Sequence, residues 1–255
     1  MLRFISLGSG SRGNATLIES SATRVLVDCG FSARETERRL HLAGVDAATI
    51  DALLVTHEHG DHLRGAVTFA RRHQVLLGGT LGTFRGVRIG AGIRFHPINP
   101  HHGPFPIGDL EVMPYPIPHD SREPVQFTFA HAGRRLGLLT DAGYITPYIQ
   151  SSLAGVDALL LECNHDPQLL RSGPYPPALQ QRVGGDHGHL SNHQAAQLLA
   201  RLDPPRLQHL VAAHLSEKNN RPELAQQALL TVDHRLQSRL SLLQQDRISS
   251  WYRLS

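Results

Sequence analysis

Short apolar runs rich in Val, Leu and Ile alternate with Gly, Ser and Pro turns along the whole chain, and amphipathic stretches stand between some of them. Apolar runs of four to eight residues bounded by turn residues read as strands, and apolar positions recurring every three to four residues read as helices. This pattern predicts strands at 4–7, 15–19, 24–28, 52–56, 74–77, 87–89, 110–117, 125–131, 134–140, 158–162, 207–212 and 249–254. It predicts helices at 33–43, 61–73, 146–153, 192–202 and 222–236. Strands in series, then strands alternating with helices, specify an α/β layered sandwich with its helices outside. The stretch 171–186 (RSGPYPPALQQRVGGD) has the composition of a long loop, and loops of that length in compact domains tend to carry function. No low-complexity tract, linker or repeat interrupts the pattern, so residues 1–255 are expected to form one domain.

Composition narrows the class. With 40% hydrophobic residues the chain can bury a sizeable core. No window approaches the roughly 20 consecutive apolar residues of a membrane span, so no membrane partner is expected. Met1 leads straight into RFISLGSGS without the basic-then-apolar pattern of a signal peptide. Cys29 and Cys163 end two apolar runs and read as reduced thiols rather than a disulfide framework, which places the expected setting in the cytoplasm. The net charge of +3 sets up no global field that demands a polyanion. Lys218 is the single lysine; the arginine bias suits phosphate but arises equally from GC-rich codons. Nothing in the pattern speaks to oligomeric state.

The chemistry is concentrated in LLVTHEHGDHLRG, Leu53 to Gly65. On an extended strand end, His57 and His59 point the same way and can approach one ion. Gly60 lets the chain turn, and an amphipathic run begins at Asp61, so Asp61 and His62 can serve a second, neighbouring ion from the start of a helix. Imidazole and carboxylate donors suit zinc, with manganese or iron as substitutes. Each ion then needs further donors at strand ends. Candidates follow in PYPIPHD at His119, GLLTDAG at Asp141 and HLVAAHLS at His214.

With these residues in view, His57-Glu58-His59-Gly60-Asp61-His62 resembles the motif of the metallo-β-lactamase fold superfamily, which implies an αβ/βα four-layer sandwich. Carried over position by position, the resemblance implies that His57, His59 and His119 hold one divalent ion. Asp61, His62 and His214 hold a second, and Asp141 bridges the two. Two such ions ~3.5–4 Å apart lower the pKa of a shared water and favour an anionic substrate, so metal-dependent hydrolysis is the expected chemistry, with Asp61 counted among the catalytic residues.

Chain lengths exclude some branches. The 41 residues after His214 are too few for the helical domain of glyoxalase-II-like thioesterases, and the 73 positions from Asp141 to His214 leave no room for a separate cap of ~100 residues. SLGSGSRGNATLIE, LLLECNHD, GHLSN and AHLSEKNN, taken in order, are similar to the YycJ/WalJ-like branch of the superfamily, over residue 4 to about residue 225. That similarity implies a phosphodiesterase acting on DNA as an exonuclease from 5′ ends.

Around the ligands, Ser9, Ser11 and Asn14 sit in a glycine-rich loop that either presents backbone N–H groups to a phosphate or simply forms a polar turn. His165 and His189 follow or precede predicted strand and helix ends, and each is a candidate proton donor to a leaving oxygen. Ser191 and Asn192 open a helix and are candidate substrate contacts, with helix capping as the plain alternative. Ser216, Asn219 and Asn220 either meet substrate oxygens or cap their own loop. Asp28 is expected to orient the metal loop rather than to bind metal. Arg12 and Arg182 are candidate phosphate contacts or solvated surface arginines, and Tyr175 either stacks on a base or packs its loop. His101 and His102 have no assigned role. The sequence leaves open a small-molecule phosphodiesterase or lactonase, a non-catalytic metal-binding regulator, and an iron-binding oxidoreductase of the same fold.

Overall fold

A computed structural model of the chain describes residues 1–202 and 204–255. The first sheet contains β1 (Leu2–Gly8), β2 (Ala15–Glu19), β3 (Arg24–Val27), β4 (Ala52–Leu54), β5 (Leu76–Gly79) and β6 (Phe95–Pro97). The second contains β7 (Phe105–Ile107), β8 (Leu110–Pro116), β9 (Val125–His131), β10 (Arg134–Leu139), β11 (Ala158–Glu162), β12 (His209–Ala213) and β13 (Leu240–Leu242). The last strand, β14 (Tyr252–Leu254), returns to the first sheet beside β1. The strand orders are β14-β1-β2-β3-β4-β5-β6 and β13-β12-β11-β10-β9-β8-β7.

Strand alternation builds the layers. Phe4, Val25 and Leu54 of the first sheet pack with Phe127, Leu138 and Leu160 of the second in the central core. Their neighbours point outward. Ile5, Leu26 and Leu53 meet Leu40 of α1 (Ala33–Leu42) and Phe69 of α3 (Ala66–His73), which follows the short α2 (Gly60–Leu63). On the far face, Leu139, Leu159 and Leu161 meet Ile149 of α4 (Pro147–Leu153), Leu198 of α7 (Asn192–Arg201) and Leu229 of α8 (Pro222–Leu230). Because helices cover both outer faces, β3, β4 and β11 are apolar at every position save Arg24 and Glu162, as buried parallel strands are. The result is the expected four-layer αβ/βα sandwich.

Strands β3 to β6 run parallel, as do β10 to β13. Ligands gather beyond the carboxyl ends of such strands. Here the ends of β3, β4, β5, β10, β11 and β12 release their loops on one edge of the sandwich.

Several expected elements differ. Residues 87–89 form no strand: glycines flank them, Val87 and Ile89 pack against the outer core, and Phe95–Pro97 pairs with β5 instead. The 61–73 helix is two helices broken at Gly65, where an added Cβ would stand 2.2 Å from Phe31 O. The predicted 222–236 helix stops at Leu230. The Pro/Gly-rich stretch begins in the last residues of a helix, α5 (Pro167–Ser172), and contains another, α6 (Pro177–Val183). In both, proline occupies the first turn, where its missing N–H costs nothing.

Cys29 and Cys163 are free and fully buried. Burial pushes the Cys29 thiol up to about 12 and the Cys163 thiol further still. Neither thiol is therefore expected to react with Ellman's reagent in the native protein, and both should react once guanidinium unfolds it. Rapid native labelling of either one would contradict the burial.

Candidate active site

At the sheet edge, the residues expected to hold metal converge. His57, His59 and His119 place donor atoms within 4.8 Å of one another, and so do Asp61, His62 and His214. Asp141 belongs to two further groupings, one with His57 and His62 and one with Glu162, His189 and His214.

Local backbone makes this possible. Asp28 and His214 follow β3 and β12 directly, Asp141 follows β10 after Thr140, and Asp28, His214 and Asp141 adopt left-handed φ values of 63°, 54° and 61°. Asp and His tolerate this region better than most residues, and such strain collects at functional sites. The turn swings each side chain back across the sheet edge. At Gly30 an added Cβ would lie 1.7 Å from Asp61 O, so only glycine lets this loop approach the metal-motif loop.

Each histidine is held from behind. Asp28 Oδ2 lies 2.8 Å from His62 Nδ1, and Asp28 Oδ1 accepts from the Thr56 N–H at 2.8 Å. Thr56 Oγ1 lies 3.0 Å from His57 Nδ1, Gly188 O 3.1 Å from His119 Nδ1, and Glu162 Oε1 3.0 Å from His214 Nδ1. These four rings thus turn Nε2 toward the site. His59 is reversed, with its Nδ1 3.2 Å from His119 Nε2. Such outer contacts fix tautomer and ring orientation at metal sites.

The donor set fits divalent ions. His57 Nε2, His214 Nε2 and Asp141 Oδ2 are buried with no hydrogen-bond partner, a costly arrangement for polar atoms unless something binds them. Two donors ~2.0–2.1 Å from one tetrahedral ion stand about 3.3–3.4 Å apart. The observed separations match: 3.2 Å between His59 and His119, 3.4 Å between His62 Nε2 and Asp141 Oδ2, and 3.6 Å between His62 Nε2 and Asp61 Oδ2.

The local field favours cations. Burial pulls His62 down, but Asp141, Asp28 and Asp61 outweigh it and push the imidazole up to about 9; Asp141 and Glu162 likewise carry His214 well above its usual range. Burial works against the carboxylates, yet surrounding histidines hold Asp141 far below its usual range and Glu162 at about 2. His57 and His119 are depressed chiefly by burial, which leaves them neutral and ready to donate a lone pair.

A cavity of about 420 Å³ opens on this cluster, and Ser11, Asp61, Asp141, Tyr175, Arg182, His189, His214, Ser216 and Asn219 line it. Its remaining wall includes Asn164 and Lys218, to which the sequence assigned no site role. Other expected contacts lie elsewhere. Asn14 is outside the cavity lining but buried against the ligand residues, its Nδ2 3.0 Å from His62 Nε2 and 3.1 Å from Gly10 O, so it joins the glycine-rich loop to the metal motif. Ser191 caps α7 in a reciprocal pairing with Gln194. Asn192 is buried and exchanges amide hydrogen bonds with Asn220, because both must satisfy polar groups inside the fold. His165 is also outside the lining; its buried ring is pushed down to about 4 by desolvation, and its Nδ1 has no partner. Arg12 is exposed and engaged by Glu217 and Asp246, at 2.8 and 2.7 Å. Arg182 lines the cavity paired to Asp120, whose other oxygen lies 3.5 Å from His119 Nε2. His101 and His102 are exposed beyond β6.

Glu162 escaped sequence reasoning. It ends β11, wholly buried, and its Oε1 lies 2.8 Å from His189 Nδ1 and 3.0 Å from His214 Nδ1. Its Oε2 accepts from the Ala142 and Leu190 N–H groups. The available signal was a lone carboxylate closing the otherwise apolar ALLLE, where an unpaired charge is too costly to bury without a task.

Comparison with known proteins agrees with this geometry. The model of the β-lactamase superfamily domain matches residues 23–214. Exodeoxyribonuclease YycJ of Bacillus anthracis is 32% identical over 241 residues, covering 91% of this chain and 89% of its own. Exodeoxyribonuclease WalJ of Streptococcus pneumoniae strain D39 is 31% identical and covers 89% and 87%. The metallo-β-lactamase fold protein YhfI of Bacillus subtilis superposes with a TM-score of 0.73 at 14% identity, over 97% of this chain and 98% of that one, which speaks to the fold. The chain belongs to the metallo-β-lactamase superfamily of metal-dependent hydrolases, in its YycJ/WalJ-like branch.

Proposed function

We propose that the chain is a dinuclear metal-dependent phosphodiesterase that degrades DNA from 5′ ends, working in the cytoplasm as one domain. The observation that carries the reading is the convergence of His57, His59 and His119 with Asp61, His62 and His214 around Asp141, whose Oδ2 is buried without a partner. The similarity to two exodeoxyribonucleases over nine-tenths of the chain supports DNA as the substrate.

His57, His59 and His119 would hold one ion, Asp61, His62 and His214 the other, and Asp141 both. Zinc suits these donors, with manganese or iron as substitutes. Two divalent ions there supply Lewis-acid chemistry, acidifying water and offsetting phosphate charge. The chain's own residues do the rest. Ser11, Ser216 and Asn219 offer hydrogen bonds to phosphate oxygens from the cavity wall. Lys218 adds positive charge, and Tyr175 presents a ring on which a base can stack. His189 is the proton donor: with Nδ1 tied to Glu162, its Nε2 is the ring nitrogen free to hold a proton for the leaving oxygen. Glu162 acts through His189 and His214 as a positioning residue.

The test is degradation of end-labelled duplex DNA by protein reconstituted with zinc or manganese, beside an Asp61→Ala/His62→Ala control. Release of nucleotides from 5′ ends by the wild type alone is the expected result. Metal-loaded wild type that leaves DNA intact but turns over small diesters or lactones would overturn the choice of substrate.

A further inference from the structure

Net charge gives no hint of how a long polyanion is held, and linear sequence shows no basic run. The fold assembles one. Arg64, at the C-cap of α2, brings its guanidinium within 3.8 Å of where a Cβ would stand on Gly60, at the cavity mouth. Arg122 donates its backbone N–H to Glu58 Oε1 at 2.9 Å, beside His57 and His59. Its guanidinium reaches Arg85 O at 3.3 Å. Arg88 follows three positions later on the same loop, which leaves the carboxyl end of β5 and crosses the outer face, where Val87 and Ile89 pack, to reach β6. All four arginines are exposed.

The surroundings leave this charge largely uncompensated. Residues 81–108 contain Arg85, Arg88 and Arg94 and no Asp or Glu. Among the described residues, Arg64, Arg85 and Arg88 form no ion pair, and Arg122 has only Glu58 at 3.7 Å. Two neighbouring carboxylates are occupied with backbone: Glu58 with Arg122 N and Glu123 with Gly82 N.

We propose that Arg64, Arg85, Arg88 and Arg122 form a binding rim for the phosphates of the DNA strand flanking the scissile position. The rim rests on the nuclease reading, and it lies outside the reacting groups. It supplies affinity for long substrates in a salt-dependent, sequence-independent way. Arginine forks suit phosphate at such positions.

The test compares wild type with Arg85→Ala/Arg88→Ala, both side chains being exposed and free of hydrogen bonds to the rest of the fold. Binding of a phosphorothioate-blocked DNA strand of about 30 nucleotides is measured against salt, and loss of two phosphate contacts should flatten the slope of log K against log salt by roughly 1.4. KM for the unblocked strand should rise several-fold, while turnover of a dinucleotide stays at the wild-type value. An unchanged slope overturns the rim, as does an equal loss on the dinucleotide or wild-type protein that does not bind the strand. Wild type that binds the strand with a salt slope yet cleaves no DNA refutes the nuclease reading, and the slope of the variant still decides the rim.

Discussion

Asp141→Asn is expected to lower kcat/KM on DNA by on the order of 10⁴-fold or more and to reduce bound metal from about two ions per chain to one or fewer. Asparagine keeps the shape and tolerates the left-handed φ of 61°, so the change removes charge rather than fold. Asp141 Oδ2 lies 3.4 Å from His62 Nε2, and Oδ1 lies 3.5 Å from His214 Nδ1, so one carboxylate touches histidines that come from both sheets. Replacing it leaves that grouping without its shared anion. Metal content by mass spectrometry and turnover measured on the same preparation make the check. Full metal occupancy with activity within tenfold of wild type would mean that the two ions do not share Asp141.

The second large effect belongs to the pair formed by His189 and Glu162. His189→Ala is expected to cost 10²–10⁴-fold in kcat on DNA, the usual worth of a proton donor. It should matter little for bis-p-nitrophenyl phosphate, whose weakly basic leaving group departs without a proton. Glu162→Gln is expected to cost about 10–100-fold in activity or metal affinity, because it both tethers the His189 ring and steadies His214. At saturating metal the double variant should fall little below His189→Ala alone, since residues in one hydrogen-bonded unit are not additive. An additive double variant, or equal losses on both substrates, would show that His189 does not deliver the proton.

These expectations separate what could be read along the chain from what could not. His57, His59, Asp61 and His62 were legible because a strand end, a glycine and a helix start fall within six residues, and local geometry alone brings their side chains together. His119, Asp141 and His214 were legible more weakly, as polar residues closing apolar runs. Parallel strands in each sheet turn that linear pattern into one edge. Ser191, Asn192 and Arg12 were misplaced for the opposite reason. Each sits near the right motif, but an Asn220 amide, a Gln194 carboxamide and two distant carboxylates claim them, and none of these partners is implied by spacing.

Segment boundaries failed where proline and glycine have two readings. Pro177 suggested loop but starts a helix, and the run at 87–89 suggested strand but yields its place to Phe95–Pro97. Propensity acts over a few residues, whereas pairing is settled by what lies beside an edge.

By itself, then, the sequence determined the layer architecture, through apolar periodicity, and the chemistry of the site, through donor types at strand ends. The tertiary structure alone decided that Glu162 stands behind both His189 and His214, that Asp28 stands behind His62, and that the Arg122 guanidinium reaches the Arg85 carbonyl from another loop. Such relations depend on distances between residues tens of positions apart, and those distances exist only once the two sheets have packed and brought their carboxyl ends to a common edge.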